Sequence, residues 1–465
     1  MPARLGTVTG VRGRVRALVA LVGVLLVVFA PPAWADGAPL GADLHVAQTL
    51  GERELTVVVR RVEGAPAPVS VDVVSHVGTA PGELRLRAVP PGGSAVSESV
   101  VRVGPPGATS TTLTIDRFGP WDLELDDGAG NTARIPFTVL ERVTQTWERA
   151  TYGGFVAAGV FLVLALGFAL RRGVGAGAVT AGAGVLVSIT VAATAALLSA
   201  STPVAAPALD GSRPPANMAV RAEPARAGSP TAVVLDLTDA ATGRPVDDLR
   251  AQHAAFVHLV VVSPSGVLSH LHPVRAAAGE YRAAFTPGEG GRFAVSAELS
   301  RAGAGVAQVR GSFDVAGKPR ASTVPSGPGK RAAGTAQVEV TADRLVAGRP
   351  TTLTADFGGP ADLQPWLGMR GHLVVIGPLP PGAPVGEAAL AAPVWAHAHA
   401  MVPTTPGAVG GEPDETVAAY DPHVDWTFTF PRPGQYRLWF QAERGYQVLT
   451  APALLDIAAT PGGTP

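Results

Sequence analysis

Histidine is the residue type most able to do chemistry in this chain, and its spacing recurs. His258-Leu-Val-Val-Val leads to His270-Leu-His272, and His372-Leu-Val-Val-Ile leads to His397-Ala-His399. Alternate side chains of a β-strand share a face, so each His-x-His pair projects two imidazoles to one side, roughly 6–7 Å apart and within reach of one ion. A third imidazole from His258 or His372 on a neighbouring strand would complete a three-nitrogen site in each copy, of the kind that suits Cu(II), Zn(II) or Ni(II). The expected metal ligands are therefore His258, His270, His272, His372, His397 and His399, with His253 and Met401 as outer candidates. Only neutral imidazole coordinates, so binding is expected to weaken as pH falls through about 6.5. Imidazoles on strands also hydrogen-bond across sheets and to backbone carbonyls, and the rival expectation is a scaffold whose histidines are structural.

The histidines must be positioned by a duplicated element. Ala227-Gly-Ser-Pro-Thr231 is followed five residues on by Asp236, as Ala347-Gly-Arg-Pro-Thr351 is by Asp356; Asp248-Leu249 precedes His258 by ten residues, as Asp362-Leu363 precedes His372. Matched spacing of this kind predicts two copies of one domain, over 217–317 and 336–457, joined by a Lys/Ser/Gly/Pro-rich linker at 318–335. The copies differ at Gly377–Pro393, an insertion that lengthens the path from His372 to its pair. Pro273 lacks an amide proton and predicts a strand end or edge, which would leave the first pair accessible.

Upstream, Glu54–Arg60 and Val69–Val74 have strand character between Pro-Gly, Gly-Gly and Asp-Gly turns, predicting a further sandwich over 36–145. Its His45 and His76 stand alone in sequence and read as surface or core residues. In each of the three segments an aromatic follows a Gly/Pro turn, at Trp121, Phe293 and Tyr436, a common corner in immunoglobulin-like sandwiches. These three, with Trp426 and Trp439, are expected in cores. The predicted fold class is mainly β: three immunoglobulin-like or cupredoxin-like sandwiches plus a two-helix transmembrane hairpin.

The hairpin is read from two apolar stretches, 152–170 and 174–200, separated by Arg171-Arg172-Gly173. The first has the length of the bilayer's hydrocarbon core; the second is weaker, rich in Gly and Ala, and a linker is its alternative. With the arginines inside by the positive-inside rule, the flanking domains lie on the extracytoplasmic side of the cell membrane. The N-terminus agrees: Arg4 to Arg16, an apolar core from Ala17 to Ala30 and Ala33-Trp34-Ala35 form an export signal over 1–35. There is no cysteine, so disulfides and the His2Cys blue-copper arrangement are excluded.

With 36 basic and 37 acidic residues and no basic run, the chain carries no nucleic-acid footprint. Gly-x-Ser-x-Gly, His-Glu-x-x-His and phosphate-loop motifs are absent, and no catalytic role is expected. Two lysines among many arginines, with the Ala and Gly excess, suggest a GC-rich bacterial genome.

The run His253-Ala-Ala-Phe-Val-His258-Leu-Val-Val-Val with His270-Leu-His272-Pro273, and in the second copy Gly371-His372-Leu-Val-Val with Phe430-Pro-Arg-Pro-Gly-Gln-Tyr436, resembles the extracytoplasmic YtkA-like and FixH-like domains of bacteria. The likeness spans about 218–456. It departs at Val257, where relatives often carry Met, and at Ala400, where Pro is expected. It implies a small immunoglobulin-like or cupredoxin-like fold linked with copper or other heavy-metal handling. Copper is thus the favoured ion, with zinc and nickel open. The expected role is buffering, delivery or sensing, and a turn of three residues between the spans means that sensing would need an envelope protein partner.

Overall fold

The computed structural model describes residues 43–60, 64–141, 146–173, 175–201, 215–403 and 413–460, and the expected export signal lies outside them. The chain divides into two compact units, one containing the long helices and the other the strands.

In the strand unit the fold is mainly β, built of three two-sheet sandwiches. The first pairs Leu44–Leu50, Arg53–Val59, Ala67–Ser75 and Gly107–Ile115 in one sheet, and Ser97–Val103, Gly82–Val89, Gly119–Asp126 and Thr132–Val139 in the other. Period-two alternation produces its core: Leu84, Leu86 and Ala88 are buried between outward-facing charged residues.

The two copies match strand for strand in the sheet that carries the histidines. Leu249–Arg250, Gly291–Arg301, Val257–Val262 and Leu268–Leu271 form it in the first copy, with Gly305–Val315 on the far side of Gly291–Arg301. Leu363–Gln364, Gly434–Arg444, Met369–Leu379 and Val394–Met401 form it in the second, with Gln447–Ile457 added in the same way. Register is conserved between the copies: Val260 faces His270 and His258 faces Glu298, as Val374 faces His397 and His372 faces Gln441. The linker expected at 318–335 is shorter than the composition suggested, because Gly329–Ala333 pairs with Ala336–Ala342 as a hairpin turning at Gly334, whose φ of 58° suits glycine.

Val257–Val262 does not alternate, and every residue in it is buried. Its odd positions Val257, Leu259 and Val261 belong to the core shared by the first sandwich and the first copy. Its even positions Val260 and Val262 pack instead with Val374, Ile376, Trp395 and Trp439 of the second copy. The two histidine-bearing sheets therefore pack face to face, burying apolar area at roughly 25 cal/mol per Å². Trp439 is buried as expected, in this second core; Trp121, Phe293, Tyr436 and Trp426 lie in the sandwich cores. Tyr436 Oη donates to the Arg432 carbonyl at 2.9 Å, and Trp121 Nε1 to that of Arg117 at 3.1 Å.

The Gly377–Pro393 insertion contributes to this packing. Its helix, Val385–Ala391, places Val385 and Ala389 in the inter-copy core, and the Val385 amide donates to the Pro264 carbonyl of the first copy at 2.7 Å. Gly386 is a close approach: a Cβ there would lie 2.4 Å from the Arg292 carbonyl oxygen.

In the other unit, Thr146–Arg172 and Ala176–Ser201 are helices long and apolar enough to cross a membrane. The second stretch is thus helical rather than an irregular linker. Gly154 lies where a Cβ would meet Ala192 at 2.9 Å, and Gly184 lies against the Phe161 ring, the small-residue contacts that let helices approach closely in lipid. Val156, Val163, Leu170 and Leu186 face outward, exposed.

Candidate metal centre

The sheet register places the histidines before any side-chain geometry is considered. His258 and His270 lie diagonally on the outer face of the first copy's sheet, and His372, His397 and His399 on the equivalent face of the second. Because those faces pack together, the two expected sites adjoin in one array. The trio expected in the second copy, His372, His397 and His399, forms one group of potential ligand atoms, whereas in the first copy His258 and His270 group with His397 of the second copy rather than with His272, so the two groups share His397. Within each triad the ligand atoms lie within 4.8 Å of one another. Nitrogen–metal bonds of about 2.0–2.1 Å in tetrahedral geometry would require about 3.3–3.5 Å.

The rings run as a continuous array. Centroid separations are 4.9 Å from His272 to His270, 5.0 Å from His270 to His397, 4.5 Å from His397 to His399 and 4.3 Å from His399 to His253. His258 lies 5.3 Å from His397, and His372 5.2 Å. The Trp366 ring packs edge-on against His270, His272 and His372, closing the apolar side. Five of the six predicted ligands fall in the two triads; His272 lies in the ring array outside both, as does His253, which the sequence placed as an outer candidate. His253 sits in the left-handed region at φ 47°, a backbone position that turns it inward ahead of the Val257–Val262 strand. Met401 is exposed at the end of the strand that carries His397 and His399, and His423 is an exposed strand end.

Three contacts fix ring orientation. Gln441 Oε1 lies 3.0 Å from His270 Nδ1, and since Gln441 Nε2 donates to Thr450, the imidazole must donate here and present Nε2 as a lone pair. His258 Nε2 lies 3.0 Å from the Gln252 carbonyl, which leaves Nδ1. His272 Nδ1 donates to the Glu54 carboxylate, which also accepts from Thr49 Oγ1. A carboxylate behind an imidazole is the arrangement that orients histidine ligands and raises their basicity. Glu54 belongs to the first sandwich, and nothing in its local sequence marks it.

That sandwich also explains why His272 is fully buried, against the accessibility expected from Pro273. The strand does end at Leu271, but Thr49 bridges Pro273: the Thr49 amide donates to the His272 carbonyl and the His272 amide to Thr49 Oγ1, both at 2.7 Å. A free sheet edge has been covered by a neighbouring strand.

Burial disfavours the charged form of four of these rings. His258, His270 and His372 lie well below the usual histidine range, first because of desolvation and then because of one another, and His399 is lowered to about 2 by burial and its neighbours His397 and His253. The lone pairs at these positions are therefore favoured below pH 6.5, where an exposed imidazole is already half protonated.

Comparison with known proteins gives one family-model match, to a domain of unknown function (DUF8832), over residues 330–459. No curated protein matches the chain. Among solved structures it is similar to a tetra-tandem repeat from the extending region of a large adhesion protein, at 11% identity and a TM-score of 0.17, covering 90% of this chain and 74% of that one. It is also similar to trypsin-activated α2-macroglobulin from Escherichia coli, at 9% identity, a TM-score of 0.18 and 91% and 24% coverage, and to invasin, a bacterial integrin-binding protein, at 12%, 0.15 and 87% and 60%. At such TM-scores none of them bears on what this chain does.

Beside the array lies a second buried polar group that the sequence did not reveal. His76 is not alone: its Nδ1 donates to Glu443 of the second copy at 2.6 Å and its Nε2 lies 3.1 Å from Thr56 Oγ1. Burial opposes its charge, but the Glu443 carboxylate outweighs burial and raises it to about 9. Glu415, desolvated and close to Glu443, is raised to about 7 and accepts from the Leu367 amide at 2.9 Å. His45 is likewise buried, with its proton affinity lowered by burial.

Proposed function

We propose that this is a membrane-anchored bacterial protein that holds a late first-row transition metal, copper first, in the histidine array between its tandem sandwiches on the extracytoplasmic side. The observation that carries this reading is the set of unsatisfied ring nitrogens. His258 Nδ1, His270 Nε2, His272 Nε2, His399 Nε2 and both nitrogens of His372 and His397 are buried without a hydrogen-bond partner in the protein. Each such group costs about 1–3 kcal/mol, and a purely structural network would place acceptors and donors against them. A coordinated cation satisfies the lone pairs together. The imidazole donor set, without thiolate, fits Cu, Zn or Ni, and the resemblance to YtkA-like and FixH-like domains favours copper. Two helices with outward apolar faces fit a membrane anchor, and the arginines between them favour an extracytoplasmic placement of the sandwiches. Such a centre suits buffering, delivery or sensing, and no residue of it is given a catalytic role.

The test is metal retention by the full chain in detergent. After chelator treatment the protein is incubated with Cu(II), Zn(II) or Ni(II), desalted and analysed for bound metal and thermal stability. Retention is expected, with a stabilisation of about 2.7 kcal/mol at a free concentration a hundredfold above Kd. The variant with all six predicted ligands changed to Ala should lose both. Desalted wild-type chain without metal and without stabilisation would overturn the proposal and leave a scaffold with structural histidines.

A further inference from the structure

We propose that the array binds two cations side by side, with His397 as their common ligand. The inference rests on the metal-binding reading above and concerns how that site is divided. One ion with nitrogen bonds of about 2.0–2.1 Å can gather only nitrogens within about 4 Å of one another. Among the described residues the histidines fall into two sets that approach this limit, His258/His270/His397 and His372/His397/His399, rather than one set of five. A single ion taking either triad would leave two of the other triad's imidazoles buried with unmet nitrogens, the condition the cation is there to relieve.

The duplication accounts for the supply of donors rather than for their grouping. His258 corresponds in register to His372, His270 to His397 and His272 to His399, so both copies bring imidazoles to the His270–His397 contact, but only His397 of that pair belongs to both groups. His397 is suited to being shared because neither of its ring nitrogens is engaged in a hydrogen bond. With one nitrogen on each ion it acts as a bridging imidazolate, its remaining N–H proton passing to solvent as the second ion enters. Carboxylates stand at both sides of the array, Glu54 on His272 and Glu298 with Oε2 3.5 Å from His397 Nδ1, and supply negative charge against two cations.

The experiment is a stoichiometric titration of the chelator-treated full chain in detergent with Cu(II), read by bound metal after desalting and by electron paramagnetic resonance. Two copper ions per chain are expected. The second equivalent should diminish rather than double the resonance intensity, because an imidazolate couples the two spins. His258→Gln and His399→Gln should each retain one ion with an uncoupled signal, and His397→Gln should lose the coupling whatever it retains. One ion per chain in the wild type, with His258→Gln and His399→Gln each abolishing it, would overturn the two-ion inference while leaving metal binding intact; no retained ion would instead sink the metal reading itself. The wild-type stoichiometry and spin coupling decide between these outcomes even if a variant fails to fold.

Discussion

Gln441 Oε1 lies 3.0 Å from His270 Nδ1 across 171 residues of sequence, and each residue belongs to a different copy of the duplicated sandwich. The contact is half of a reciprocal pair. Glu298, which occupies the register position of Gln441 in the first copy, lies 3.5 Å from His397, the register equivalent of His270 in the second. Gln441 thus orients a histidine of the other copy, and Glu298 stands beside His397 without a hydrogen bond to it. An array assembled in this way depends on the docking of the copies as much as on the histidines themselves, and the predictions below test that dependence.

Glu54 is expected to act as a positioning residue for His272. Glu54→Gln keeps the volume and removes the charge that accepts the Nδ1 proton, so the His272 ring packed against His270 loses its anchor and copper affinity should fall by up to about tenfold with little change in fold. Competition with a chromophoric chelator measures this, and Glu83→Gln, an exposed carboxylate of the same sandwich, should leave affinity unchanged. Equal affinities for Glu54→Gln and wild type would remove the first sandwich from the metal centre.

The His76–Glu443 pair ties the first sandwich to the second copy and makes their docking pH-dependent. The folded-state value of His76, about 9, exceeds the ordinary 6.5, so its contribution to stability is fully present below pH 6.5, declines between 6.5 and 9 and is absent above. Melting temperature followed from pH 6 to 10 should show that decline. His76→Gln should flatten the profile across that window and, by leaving Glu443 buried without its partner, cost about 3–5 kcal/mol at pH 6. A wild-type profile as flat as the variant's would rule out a charged His76.

The strands, the duplication, the helices and the clustering of the histidines were legible because each depends on local pattern: alternation, matched spacing and apolar length. What remained hidden was where pieces distant in sequence meet. The unbroken apolar run Val257–Val262 was the available clue that this sheet is covered on both faces, since a strand exposed on one side alternates. Composition alone could not say that its second cover is the other copy. Glu54 and His76 were opaque for the same reason, their partners lying 218 and 367 residues away. The inward turn of His253 depends on a positive φ that no periodicity predicts.

Gly386 offers a way to disturb the array without touching a ligand. It lies within the Val385–Ala391 helix, where alanine is intrinsically favoured over glycine by about 1 kcal/mol, so an isolated helix would be strengthened by Gly386→Ala. In the folded chain the new Cβ would lie 2.4 Å from the Arg292 carbonyl and 3.1 Å from that of Val262, both backbone atoms of the first copy that cannot rotate away. The helix must then lift, and with it the apolar contact between Val262 and Val385 that holds the two histidine-bearing sheets together. Gly386→Ala should therefore lower the melting temperature, and Gly386→Val should lower it further. Both should weaken copper binding, since His258 and His270 reach His397 only across that junction. Calorimetry and metal analysis of the two variants provide the check: unchanged copper affinity in a chain destabilised by Gly386→Val would mean that ligands from one copy suffice.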